Sequence, residues 1–152
     1  MGWLELKVPP PLVLVILALL MWFDNRMAGG GLALGYPFYL GLAVMAGGFA
    51  LAFTGLRTLI ANRTTPSPTK IDRAKTLVTS GLYGFTRNPM YLGMVIFLVG
   101  VAALFENPWS LMGAVAFVLY ILRFQIQPEE RVMAAKFGAD YAAYQARVRR
   151  WI

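Results

Sequence analysis

Neither cysteine nor histidine occurs in this chain. Without cysteine there is no disulfide, no thiolate metal site and no thiol nucleophile. Without histidine the commonest general base near neutral pH is missing, and with it any Ser-His-Asp triad and any histidine-ligated metal. No metal site is expected. Charge is scarce as well: 14% of the 152 residues are charged, where a soluble domain carries roughly a quarter. Acids are the scarcer kind, seven against fourteen Lys and Arg.

What fills the chain instead is apolar side chain, 59% of it, with a net charge of +7. A basic excess in so apolar a chain points to contact with anionic lipid. Nucleic acid is a poor fit, because the cations are dispersed and no stacking platform or groove-reading helix is evident. The sequence predicts an all-α integral membrane protein forming a single membrane domain over residues 1–152.

Apolar runs give about four transmembrane helices, over 8–23, 32–56, 89–105 and 108–123. Pro9-Pro10-Pro11 suits a helix start. Glu5, and the lack of a small-residue cleavage site after Phe23, argue against a removed signal peptide. In the second run Pro37 falls in the first turn or makes a kink, and Ala43, Gly47 and Gly48 would allow close helix packing. The last two runs are short for a straight span. Glu106-Asn107-Pro108 between them reads as a tight turn, making a helical hairpin. With an even number of spans, every Lys and Arg except Arg26 falls on one side. The positive-inside rule then puts both termini and the middle segment in the cytoplasm. Thr64 to Thr69 looks like an extended linker.

The polar segments, 57–88 and 124–152, are the informative ones. Gly81 and Gly84 mark turns, and Asn88-Pro89 reads as an N-cap followed by proline at the first helical position. The free N–H groups and positive dipole end there, with Arg87 beside them, would seat a carboxylate or phosphate. Equally, Arg87 would serve as a positive-inside anchor and Tyr83 and Tyr91 as interfacial aromatics. Glu129-Glu130 either complement a helix dipole or receive ribose hydroxyls or a cationic ligand. From there Met133, Phe137, Tyr141, Tyr144, Val148 and Trp151 recur at steps of three and four, the stripe of an amphipathic cytoplasmic helix. That helix would lie in the interface, pack on the span ends or fold over them as a lid, and Gly138 argues against its being straight.

The stretch Arg87-Asn88-Pro89-Met90-Tyr91-Leu92-Gly93 is followed, after the hairpin, by Glu129-Glu130 and by Phe137-Gly138-Ala139-Asp140-Tyr141-Ala142-Ala143-Tyr144. With Leu77 to Tyr83 before them and Val148 to Ile152 after, these motifs in this order resemble the isoprenylcysteine carboxyl methyltransferase family. That family's broader group includes phospholipid N-methyltransferases. The resemblance covers roughly residues 77–152. It implies an integral membrane enzyme that uses S-adenosylmethionine, releases S-adenosylhomocysteine and has no Rossmann domain. No strand-turn-helix glycine fingerprint is present, which agrees. Carried over, Arg87, Asn88 and Tyr91 hold the cofactor's polar groups, with Pro89 and Gly93 of the same motif. Glu129 or Glu130 takes its ribose or amino group. Tyr83, Leu92 and the aromatic face with Tyr141 cover adenine. Asn88 stands where the carboxyl methyltransferases usually have histidine, and an amide does not titrate, so proton transfer there is excluded.

Methyl transfer needs alignment and exclusion of water more than it needs a base. A carboxylate acceptor is already ionised, whereas an amine or thiol must lose a proton, for which Glu130 is the candidate. A lipophilic acceptor would enter sideways from the bilayer. Arg123 would anchor an anionic head group or simply snorkel. Two other readings stand beside this one. One is a membrane reductase of the sterol-reductase type using NADPH, much longer in its known forms. The other is a non-catalytic membrane subunit. The short four-span form suggests a bacterial inner membrane.

Overall fold

The computed structural model describes residues 5–62, 76–105 and 107–152, and all regular structure among them is helical. Helix α1 covers Pro10–Met27, α2 Tyr36–Ala61, α3 Pro89–Leu104, α4 Leu111–Ile121 and α5 Gln127–Arg147. A π-turn at Leu122–Ile126 joins α4 to α5, so one helical run extends from Leu111 to Arg147. By length and composition three helices among the described residues can cross a membrane: α1, α2 and this long run. Helix α3 is apolar but shorter. The chain is an integral membrane protein. The linker expected at Thr64 to Thr69 lies outside the described residues, as does Glu106 of the expected turn.

Proline sets the helix starts. Pro10 and Pro11 open α1, Pro37 lies in the first turn of α2, and Pro89 opens α3. At these positions the missing N–H would have had no intrahelical partner. Helix α2 continues to Ala61, past the end expected at Leu56.

The tightest packing is α2 against α3, which run antiparallel. Glycines at a seven-residue spacing make it possible. A Cβ on Gly48 would lie 2.5 Å from the Phe97 nitrogen and 2.6 Å from the Gly93 carbonyl oxygen. A Cβ on Gly93 would meet the Gly48 oxygen and the Ala52 nitrogen at 2.5 Å. Gly41 faces Gly100 one end along, and Gly55 faces Met90 at the other. Such small-residue contacts let helix backbones approach closely where lipid removes the hydrophobic drive to associate. Of the residues expected to do this, only Gly48 does. Ala43 and Gly47 are exposed, with open space beyond Gly47, because they lie off the seven-residue stripe.

Helix α4 meets α3 across Phe105, where Leu98, Val101, Ala102, Ala114, Phe117 and Ile121 form the main core. α1 adds Val13 and Met21, the Met21 sulfur resting over Gly113. Outward, Leu19, Phe23, Phe49, Phe53, Val115 and Leu119 are exposed, an apolar surface suited to acyl chains. At the π-turn Gln125 is fully buried and its Nε2 donates to the Val8 carbonyl at 2.6 Å. From Glu129 onward α5 carries the charged residues and lies beyond the apolar stretch.

Candidate functional site

The start of α3 and the end of the chain are stitched together. Asn88 occupies the cap position of α3 as expected, but its side chain does not cap the helix. Its Nδ2 donates instead to the Arg150 carbonyl at 2.9 Å. Thr86 Oγ1 donates to that same carbonyl at 3.2 Å and accepts the Asn88 N–H at 3.2 Å. The Arg87 N–H donates to the Arg149 carbonyl at 3.0 Å. One backbone and two side-chain hydrogen bonds thus join the two motif-bearing segments.

This stitching sets Arg87, Glu130 and Arg150 side by side. Arg150 holds Glu130 as a fork, Nε to Oε1 at 3.0 Å and Nη2 to Oε2 at 2.7 Å. Arg87 Nη1 stands 3.3 Å from Glu130 Oε1, an ion pair without hydrogen-bond alignment. Only 12% of the Arg87 side chain is exposed. Its Nε and Nη1 are buried with no hydrogen-bond partner among the described residues. Buried guanidinium donors without an acceptor are costly and call for a partner.

One helical position earlier, Glu129 is enclosed differently. The Tyr91 hydroxyl donates to its Oε1 at 2.5 Å. Burial pushes the Glu129 carboxyl up to about 7, against the opposing pull of the Tyr91 hydrogen bond, and the Glu130 charge pushes the same way as burial. The adjacent carboxyls therefore have different characters. Glu130 is held by the Arg150 fork with Arg87 at ion-pair distance, whereas burial holds the Glu129 carboxyl up to about 7.

Tyrosines close the other side. Tyr141, Tyr144 and Val148 are buried, with Leu77, Met133 and Phe137 packed against them. Most of the expected stripe therefore folds down onto the protein, although Trp151 joins the main core instead. The fold-back depends on Gly138, whose φ of 48° and ψ of −119° bend α5. Beyond the bend the Tyr144 hydroxyl donates to the Tyr83 carbonyl at 2.7 Å. Burial raises the Tyr141 hydroxyl to about 12, the Glu130 charge adding to it, and Arg87 beside it pulls the other way. Tyr83 is raised too, by burial and then by Glu129.

Tyr83, Arg87, Asn88, Tyr91, Glu129, Glu130 and Tyr141 are thus gathered at one end of the molecule. Pro89 is fully buried at the start of α3. Leu92 is half-buried on α3. Gly93 faces α2, where backbone fills the place of a side chain. Arg123 pairs with Glu5 at 2.7 Å, and Glu5 also binds Arg131 at 2.6 Å. Arg150, Thr86 and Tyr144 were not among the site residues expected from the sequence, although Tyr144 lies on the apolar stripe and Arg150 in the closing motif. The closing Arg149-Arg150 pair gave a signal for the first, but nothing local marks which arginine turns inward.

A model of the phospholipid methyltransferase family matches residues 36–140. An uncharacterized Haemophilus influenzae protein is 36% identical over 63 residues, 41% of this chain and all of that protein. Protein-S-isoprenylcysteine O-methyltransferase B of Arabidopsis thaliana is 39% identical over 75 residues, 47% of this chain and 36% of that protein. The Saccharomyces cerevisiae protein-S-isoprenylcysteine O-methyltransferase is 34% identical over 83 residues, 53% of this chain and 34% of that protein. The matched region is thus about a third of the length of these two named relatives. No solved structure matches. The family match spans well over half of the chain, across α2, α3 and most of α5: the chain belongs to the phospholipid methyltransferase family.

Proposed function

We propose that this protein transfers a methyl group from S-adenosylmethionine to a lipophilic or membrane-associated acceptor at the cytoplasmic face. The observation that carries this reading is Arg87, with two buried donors lacking a hydrogen-bond acceptor, 3.3 Å from Glu130 and close to the half-buried Glu129 of the same helix turn. That donor set fits the amino-acid end of the cofactor. Arg87 would take its carboxylate through a charge-assisted pair. Glu129, oriented by Tyr91, would accept from ribose hydroxyls or face the positive end. Tyr83, Tyr141 and Leu92 would cover the adenine.

When bound, the cofactor supplies an electrophilic methyl on a sulfonium whose charge disperses as the methyl leaves. The chain's own part is to hold the reactants in line and keep water out. The tyrosines folded down by the Gly138 bend suit that role. Where the acceptor is an amine or thiol, a proton must be removed. Glu129 fits that task better than Glu130, since both Glu130 oxygens already bind Arg150.

The charge distribution supports four spans, with α3 as the shortest, both termini in the cytoplasm and the site on that side. The bacterial relative supports a bacterial inner membrane. Calorimetric titration of the detergent-purified protein with S-adenosylhomocysteine tests the reading, with NADPH as the control. Saturable binding of the nucleoside alone is expected. Binding of NADPH instead would favour a reductase, and binding of neither a non-catalytic subunit.

A further inference from the structure

Arg87 and Arg150 share one carboxylate but unequally. Arg150 takes both Glu130 oxygens in a fork. Arg87 is left at 3.3 Å, misaligned, with Nε and Nη1 unused. A bidentate pair is the strongest arrangement available to a carboxylate, so Glu130 stays with Arg150. Arg150 is itself held in place, since its carbonyl takes the bonds from Asn88 and Thr86.

We propose that Arg150 is a positioning residue that keeps Glu130 from pairing fully with Arg87, leaving the buried Nε and Nη1 of Arg87 to bind the carboxylate of the cofactor's amino-acid end. This rests on the cofactor reading above. Removing the Arg150 fork leaves Glu130 within reach of Arg87. The two then pair fully, and the seat for a ligand carboxylate is filled from inside the protein. Arg150 thereby governs recognition of one functional group, not of the nucleoside as a whole.

Calorimetry on the full detergent-purified chain tests this with two ligands. One is S-adenosylhomocysteine, and the other is S-adenosyl-3-thiopropylamine, the same molecule without its carboxylate. Arg150→Ala should weaken S-adenosylhomocysteine on the order of tenfold or more, the scale of one charge-assisted hydrogen bond. The decarboxylated ligand should bind within about twofold of its wild-type affinity, no such bond being lost. Adding Glu130→Gln to Arg150→Ala should restore much of the lost affinity, because the competing charge is gone. Arg150→Lys should fall between, keeping the charge without the fork.

A general structural role predicts something else: both ligands weakened alike by Arg150→Ala, with no recovery in the double variant. That pattern overturns the proposal, as does unchanged binding in Arg150→Ala. Equal wild-type affinity for the two ligands overturns it as well, while leaving the cofactor reading intact. Wild-type protein that binds neither ligand overturns both.

Discussion

The Tyr91 hydroxyl donates a 2.5 Å hydrogen bond to Glu129 Oε1, linking the first turn of α3 to the first turn of α5 across 38 positions of sequence. The bond favours the charged carboxylate, and burial disfavours it more strongly. Tyr91→Phe removes the only lowering influence among these causes and so raises Glu129 further. If the carboxylate is the form that receives the ligand, this variant binds S-adenosylhomocysteine several-fold more weakly at pH 7, a loss of about 1 kcal/mol. Its affinity-against-pH curve moves to higher pH. A curve that stays in place would remove Tyr91 from the control of Glu129.

The same carboxyl makes the unliganded protein sensitive to pH in a definite direction. Its folded value, about 7, lies above the ordinary 4.5, so the unfolded chain releases this proton more readily than the fold does. The stabilisation is fully present below about pH 4.5 and is lost as pH rises through about 7. Thermal unfolding in detergent should therefore show Glu129's contribution falling from pH 5 to pH 8. Glu129→Gln, uncharged throughout, should flatten that component and gain about 1–3 kcal/mol over wild type at pH 8. Ligand affinity should follow the opposite trend and rise with pH, because binding draws on the ionised form.

Much of this arrangement is legible in the sequence, and the part that is not has a physical reason. Scarce charge and long apolar runs give the helices, and proline gives their starts. The step of three and four from Met133 to Val148 gives the face that α5 buries, and Gly138 gives its bend. Adjacent glutamates were legible as a site, but their separate roles were not. Neighbours in a helix point about 100° apart, and whether each meets a tyrosine or an arginine depends on residues far along the chain. The Arg150 fork on Glu130, which favours Glu129 for the proposed proton transfer, joins residues twenty positions apart and has no local signal in the sequence. The glycine stripe was missed for a different reason. Gly41 and Gly48 pair with Gly100 and Gly93, and Gly55 continues the spacing of seven against Met90, a pattern with meaning only once α3 is known to lie against α2.

That crossing gives a sharp contrast between two adjacent glycines. At Gly48 even a Cβ would lie 2.5 Å from backbone, which has no rotamer by which to yield, while Gly47 faces open space. Gly48→Val should force α2 and α3 apart and cost about 3 kcal/mol or more, the scale of severe overpacking. Gly47→Ala should be neutral or gain a few tenths of a kcal/mol from helix propensity. Unfolding temperature and protease resistance in detergent measure both. Equal tolerance at the two positions would mean that α2 does not rest on α3 through this face.

Gly138 offers the test of how the tyrosine wall is closed. Its φ of 48° with ψ of −119° is a conformation that L side chains adopt only under strain, and nothing lies within 4 Å of where a Cβ would be. The cost of Gly138→Ala is therefore conformational rather than steric crowding, about 1–3 kcal/mol. The chain can relieve it by straightening α5, since alanine favours the helix. Straightening draws Tyr144 away from the Tyr83 carbonyl and Tyr141 away from Arg87. Global unfolding should then change little while the site opens. Amide exchange should quicken across 138–148, and S-adenosylhomocysteine affinity should drop several-fold. Full affinity in Gly138→Ala, with the exchange already faster, would show that the second half of α5 takes no part in enclosing the ligand.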